Sequence, residues 1–294
     1  MLWLAVAGIP VAASLHKRMG VIVDLNWSFS KLGAFDTCPY SYYLNYVADP
    51  KPQNEENAFN QYGSYVHEIL EKYFKGELEL FELLDYYEAH FDENVVLDFP
   101  PCSGRSGPID LRQNYLRGGT TFFEEFDGWP NYKVLGVEEK FKIDFIDGDT
   151  LTGIIDLILE DKNGEIIILD HKSKSGFKSK DELRHYGYQP ALYALYIHEK
   201  YGKWPNRLAF NIFRKQEIIK LDFTIEFLEE AKNWAAQQIT KIRECTDFTP
   251  KFDKNQKKNV MYFCQNICGF KEICEYQYLY RDDNGEYAAF TGEK

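Results

Sequence analysis

The stretch "LTGIIDLILEDKNGEIIILDHKSKS", residues 151–175, sets two carboxylates and an ammonium among apolar, β-branched residues that read as buried. "DKNG" between the two apolar runs signals a hairpin. Side chains two apart on a strand share a face, so Asp170 and Lys172 project together. His171 then points the other way, with its carbonyl still available. Asp156, on the preceding strand, approaches Asp170 across the hairpin. Neighbouring carboxylates repel unless one takes a proton or a cation neutralises them. A hard divalent ion with oxygen ligands, Mg2+ or Mn2+, resolves that conflict. Lys172 beside it can orient a water and stabilise charge during attack on phosphorus. Upstream, Glu138 in "VLGVEEKFKID" follows an apolar strand residue, and His67 lies on a helix with Glu71 one turn on. An imidazole ligand would favour manganese or tune magnesium affinity. Each residue also has a plain structural reading: a satisfied helix histidine, a turn-forming aspartate, a surface Lys–Asp pair worth little. The combined order His, Glu, Asp, Asp-x-Lys is what points to phosphodiester chemistry.

A second set is sulfur. The tail "CQNICGFKEIC" places Cys264, Cys268 and Cys274 as C-x3-C-x5-C, a spacing that suits a metal or cluster better than disulfides. Cys38, before Pro39 in "DTCPYSYYLNY", is the one other cysteine in so distinctive a setting; Cys102 and Cys245 look like spares. Either kind of metal implies a reducing compartment, so a cytoplasmic location is expected.

The elements that must position these groups follow from periodicity. Residues 28–46 read as two short helices broken at Cys38-Pro39. Residues 56–74 form an amphipathic helix with Tyr62, Val66, Ile69, Leu70 and Tyr73 on one face. Helices are expected near 77–92 and 111–126, around a Pro/Gly/Ser-rich loop at 98–107. Strands are expected at 132–146, 150–160 and 164–171, then a helix over 180–202 capped by Gly202. Strands near 207–214 and 216–223 precede a helix from Thr224 to about Cys245. This order predicts an α/β fold with a mixed sheet. No Gly-rich phosphate loop is present, which argues against a nucleotide-driven motor.

At 294 residues with a formal charge of −12, the chain is long enough for one large domain and too acidic to coat nucleic acid by bulk attraction. A local basic track remains compatible with that sum, and "DHKSKSGFKSK" (170–180) and "KFDKNQKKN" (251–259) are its candidates, with a solvated surface as the alternative. The first 15 residues are apolar but lack a positive n-region, and Pro10 interrupts them. They make neither a good secretory signal nor a spanning helix; Met19 is then a natural start, and residues 1–27 are expected to be a leader outside the fold. No membrane association is expected.

The segments "GSYVHEILE", "VEEKF", "LTGIIDLI", "IILDHKS" and "YQPALYALY" resemble, in order, the RecB-like branch of the PD-(D/E)XK nucleases, over roughly residues 28–280. That resemblance implies a restriction-endonuclease-like core, with a helical insertion at about 77–127 and a cysteine-rich tail at about 246–294. It makes His67, Asp156, Asp170 and the backbone carbonyl of His171 metal ligands, Glu138 an acidic member of the site despite the adjacent Glu139, and Lys172 the catalytic lysine. Gln189 and Tyr193, one turn apart, become the helix motif facing metal or DNA. It further implies a [4Fe-4S] cluster on Cys38, Cys264, Cys268 and Cys274, which needs four thiolates. The x3 spacing departs from the branch's usual x2, so zinc stays open as an alternative. The implied activity is a metal-dependent deoxyribonuclease, foremost an exonuclease on single-stranded or frayed ends, in recombination, phage DNA processing or CRISPR spacer acquisition. A helicase or integrase is the implied partner for the helical insertion. A DNA-end-binding scaffold with little cleavage is the rival reading. Aromatic runs such as "CPYSYYLNY" and "FFEEF" suit base stacking or, more simply, the core.

Overall fold

A computed structural model describes residues 25–104, 107–250 and 262–276. Residues 1–24, most of the expected leader, lie outside these, as do the Lys-rich 251–259 and the tail from 277. The chain opens with a short strand β1 (Asn26–Trp27), helices α1 (Phe29–Thr37) and α2 (Pro39–Tyr42), and a wide helical turn at Tyr43–Val47. Helices α3 (Ala58–Phe74) and α4 (Leu83–Asn94) follow, then a small hairpin, β2 (Cys102–Gly104) with β3 (Gly107–Ile109), and α5 (Leu111–Glu125). The sheet proper is built from β4 (Lys133–Asp144), β5 (Thr150–Glu160), β6 (Ile166–His171), β7 (Arg207–Ile212) and β8 (Glu217–Asp222), with α6 (Lys180–Tyr201) between β6 and β7 and α7 (Ile225–Glu244) last.

The helices start where side chains can satisfy the first free amides: Ser28, Asn57, Asp110, Ser179 and Thr224 each accept from a backbone N–H three residues on. Gly202 ends α6 at φ +67°, the left-handed position that favours glycine. The sheet is mixed: β4, β5 and β6 are antiparallel, β6 and β7 parallel, β7 and β8 antiparallel. One face carries the larger core, where Ile166, Ile168 and Leu208 meet Leu192 and Ile197 of α6 and Ala231 and Ile239 of α7. A second core, from Tyr62, Ile69, Tyr87, Phe122 and Phe213, lies within the α3–α5 layer.

Two expectations change. The fold begins before residue 28: Trp27 is fully buried, pairs with Leu151 through β1, and donates from its indole to the buried Asp149 carboxylate at 2.9 Å. A strand of two residues has too little period to be seen in sequence. The 98–107 loop carries the β2–β3 hairpin, which its Gly/Pro/Ser content concealed. Tyr42, Phe122 and Phe123 are buried, so these aromatic runs serve the core.

Candidate active site

The ladder between β5 and β6 runs from Glu160 opposite Ile166 to Leu157 opposite Leu169 and stops there. Toward the start of β5 its place is taken by β1, at Thr150 and Leu151. The sheet therefore splits, and Asp156 is the first β5 residue beyond the β6 ladder. Its Oδ2 accepts the His171 N–H at 2.7 Å, so a side chain replaces the missing ladder carbonyl. The face alternation of β5 shifts phase at this point: Leu151, Ile155 and Ile158 join the larger core, while Leu157 and Leu159 face the other side of the sheet.

Across from Asp156, β4 is distorted too. Glu138 has φ +47°, in the left-handed region that non-glycine residues rarely adopt, a conformation costing about 1–3 kcal/mol and concentrated at functional sites. It directs Glu138 inward, whereas Glu139 reaches α6 and bonds Tyr196 and Lys200. The adjacent glutamates are thus separated by backbone geometry.

His67, on α3, completes the group. Its Nδ1 lies 3.6 Å from Asp156 Oδ2 and 3.9 Å from Glu138 Oε1, and its Nε2 lies 3.0 Å from the His171 carbonyl oxygen. A carbonyl can only accept, so Nε2 carries the hydrogen and Nδ1 turns to two carboxylates. That arrangement is favourable only with a proton or cation between them. Burial alone would lower the His67 pKa, but Glu138, Asp156 and Asp170 outweigh it and hold it above the ordinary value. Burial, then the Asp170 charge, push the Asp156 carboxyl up to about 7. Ligand atoms of His67, Glu138 and Asp156 lie within 4.8 Å of one another, a nitrogen and two oxygens able to hold a divalent ion.

Asp170 stands beside this group, with Lys172 claiming it. Lys172, one residue past the end of β6, places its Nζ 2.6 Å from Asp170 Oδ2, a close ion pair. Burial pulls the Lys172 pKa down, and Asp170 and Asp156 more than offset it, so the side chain is an ammonium. Nζ also donates to Gln189 Oε1 at 3.4 Å, and Gln189 Nε2 donates to the Tyr193 hydroxyl at 3.3 Å. Tyr193 is buried edge-on against Phe141, behind Gln189. Expected site residues therefore converge, with two differences. Glu138 rather than Asp170 joins His67 and Asp156 in the tightest group, because Lys172 occupies Asp170. The His171 carbonyl, expected to be open, accepts from His67. Glu71 faces away and pairs with Lys75.

A model of the PD-(D/E)XK nuclease superfamily matches residues 26–275. The chain belongs to that superfamily. Two solved structures are similar to it: a "Putative exonuclease" from Eubacterium rectale, 15% identical, covering 77% of this chain and 84% of that one with a TM-score of 0.47, and SSO0001, 14% identical, covering 72% and 95% with a TM-score of 0.32. No curated protein matches the sequence. Superfamily members are metal-dependent nucleases, and the group of His67, Glu138 and Asp156 suits a divalent ion.

Within this nuclease frame, the structure adds residues that sequence reasoning missed. His171 is buried on the far face of β6, accepts from Asn211 Nδ2 at 3.0 Å and stacks on Trp129 at 15° between planes. Burial holds it neutral, well below the usual histidine range. The Tyr186 ring lies 5.7 Å from Lys172 Nζ. Tyr186 is three residues before Gln189, so helical spacing was the available signal. Nothing local marked Trp129 or Asn211, which tertiary packing brings onto the His171 ring on that far face.

The sulfur set also converges. Cys38 caps α2, its Sγ accepting the Ser41 N–H at 3.4 Å, and it lines one cavity with Cys264, Cys268 and Cys274 beside Tyr40, Phe263 and Phe270. None of the chain's cysteines forms a disulfide. Burial pushes the Cys38 thiol up to about 11 and raises Cys268 and Cys274 as well, so a bound cation would be needed to make them thiolates. The tail is fastened by Asn57 Nδ2 to the Ile267 carbonyl at 3.0 Å and by the Glu55 N–H to the Gly269 carbonyl at 2.9 Å. A Cβ at Gly269 would fall 2.2 Å from the Glu55 carbonyl oxygen, so only glycine permits this approach.

Proposed function

We propose that the protein is a divalent-metal-dependent deoxyribonuclease of the RecB-like branch, an exonuclease on single-stranded or frayed DNA ends. The observation carrying this reading is the split between β5 and β6, which gathers His67, Glu138 and Asp156 around one point while an ammonium, Lys172, is held beside them by Asp170. The fit to a metal rests on Nδ1 of His67 facing two carboxylates, a donor set of one nitrogen and two oxygens that suits a divalent ion. Bound there, Mg2+ or Mn2+ would supply charge neutralisation for phosphodiester hydrolysis. The chain's own groups do the rest. His67, Glu138 and Asp156 would hold the ion, and the His171 amide fixes the Asp156 carboxylate. Lys172 places positive charge beside the scissile phosphate, and Gln189, backed by Tyr193, sets the direction of that ammonium. Gln189 is a positioning residue here.

The four cysteines are proposed to hold a [4Fe-4S] cluster in a cytoplasmic setting. What supports a bound metal group is that Cys38, Cys264, Cys268 and Cys274 line one cavity, four thiols being the number that a [4Fe-4S] cluster needs, with zinc as the alternative the test below separates. A helicase or integrase docking on the α3–α5 layer is part of this proposal, resting on the resemblance alone.

The test is an assay with end-labelled linear and circular single strands in Mg2+ or Mn2+. Mononucleotides or short products from linear DNA, with circles intact, are expected. Binding of ends without any product would favour a scaffold role and sink the enzyme reading.

A further inference from the structure

Several basic side chains around the sheet are already neutralised. Arg112, Arg184 and Arg243 pair with Asp92, Glu230 and Asp149, and Lys174, in the Lys-rich run after β6, pairs with Glu182 at 2.7 Å. Three that are not so paired gather on one polar cleft, lined by Arg117, Asn114 and Thr121 of α5, Ser175 of the loop after β6, and Arg214 and Lys215 of the turn after β7. Among the described residues none of its three cations has a carboxylate partner. In a chain of net charge −12, three such cations on one cleft are a local concentration of positive charge. The Arg214 guanidinium carbon sits 3.6 Å from the Tyr115 ring centroid, a cation–π contact that holds the arginine at the cleft wall.

Position relates the cleft to the strand-end site. Strands β6 and β7 are parallel, and the Lys172 N–H donates to the Asn211 carbonyl at 2.9 Å. Arg214 follows Asn211 by three residues, so the cleft and Lys172 open at the same carboxyl end of the parallel pair, where α/β sheets bind ligands. Hydroxyl and amide groups interleaved with cations match a phosphodiester backbone, which presents single negative charges and only acceptor oxygens.

We infer that this cleft is a subsite for the backbone of a DNA strand, seating phosphates away from the one that is cut. The inference rests on the nuclease reading for its substrate class. Both Arg117 and Lys215 are exposed, so removing their charges leaves the core intact. The experiment measures binding of a labelled single-stranded oligonucleotide by fluorescence anisotropy in metal-free buffer across salt concentrations, in an Asp156→Asn background that cannot cut. Adding Arg117→Gln with Lys215→Gln is expected to weaken binding about tenfold and to flatten the slope of log K against log salt by about 1.4, two contacts at ~0.7 each. The charge-preserving pair Arg117→Lys with Lys215→Arg is expected to keep affinity within about twofold, since most of the term is electrostatic. Unchanged affinity and slope in the glutamine pair would overturn the subsite, as would an equal loss in the charge-preserving pair. Cleavage by the unmodified protein is scored separately: binding through the cleft with no metal-dependent product would defeat the nuclease reading and leave the subsite standing.

Discussion

The strand-end site and the cysteine cavity are both clusters of metal-seeking side chains, yet they are assembled differently. In the first, the carboxylates sit on three adjoining strands, β4, β5 and β6, with the ammonium one residue past β6 and only His67 brought in from α3. The second joins residues more than two hundred positions apart, held by a helix cap at Cys38 and a few backbone contacts to the tail. A site built on a ladder can keep its geometry without an ion, while one built from chain ends depends on what it binds to stay closed. The first should therefore control rate and the second stability.

Chelation gives the largest effect separating them. Treatment with EDTA should abolish DNA cleavage, with Mg2+ or Mn2+ restoring it and the melting temperature nearly unmoved; activity that persists in EDTA would remove the metal from the strand-end site. Next come single substitutions. Asp156→Ala and Lys172→Met should each lower the cleavage rate by about 10²–10³-fold, the usual loss for one charge-stabilising group. Lys172→Met also leaves Asp170 buried without its cation, for about 3–5 kcal/mol of stability by denaturant unfolding. Rates within a few-fold of the unmodified protein in either variant would show that these groups do not act.

The opposite pattern is expected for sulfur. Cys264→Ser should bleach the brown colour of a cluster and lower the unfolding midpoint by several degrees, at about 2–4 °C per kcal/mol for a chain this large, with cleavage falling less than tenfold. Colourless protein with one equivalent of zinc would replace the cluster, and a rate loss as deep as that of Asp156→Ala would erase the contrast. The smallest effect tests the neighbouring glutamates. Glu138→Gln should cost cleavage heavily, whereas Glu139→Gln, which loosens a half-exposed tie to Lys200, should change stability by about 1 kcal/mol or less and leave cleavage as it was.

Much of this was legible in the sequence because it is local. Period-two alternation placed β4, β5 and β6, the "DKNG" turn set the hairpin register, and two-residue spacing put Asp170 and Lys172 on one face. Other parts could not be read. The left-handed turn at Glu138 is carried by no glycine or asparagine, so nothing in "VEEKF" announced which glutamate turns inward. The two-residue β1 gave no pattern, and its pairing to β5 is what leaves the sheet split at Asp156.

By itself, then, the sequence determined which chemistry the chain can perform: the donor atoms, their order and their strand faces follow from residue type and periodicity. Only the tertiary structure decided how those donors are shared. It gave Asp170 to Lys172, Glu138 to His67 and Asp156, and the His171 carbonyl to His67 Nε2. The physical reason is that partner choice among close charges depends on differences of an ångström or so, set by where a ladder stops and which backbone torsion is reversed. Residue spacing along the chain does not encode distances that fine.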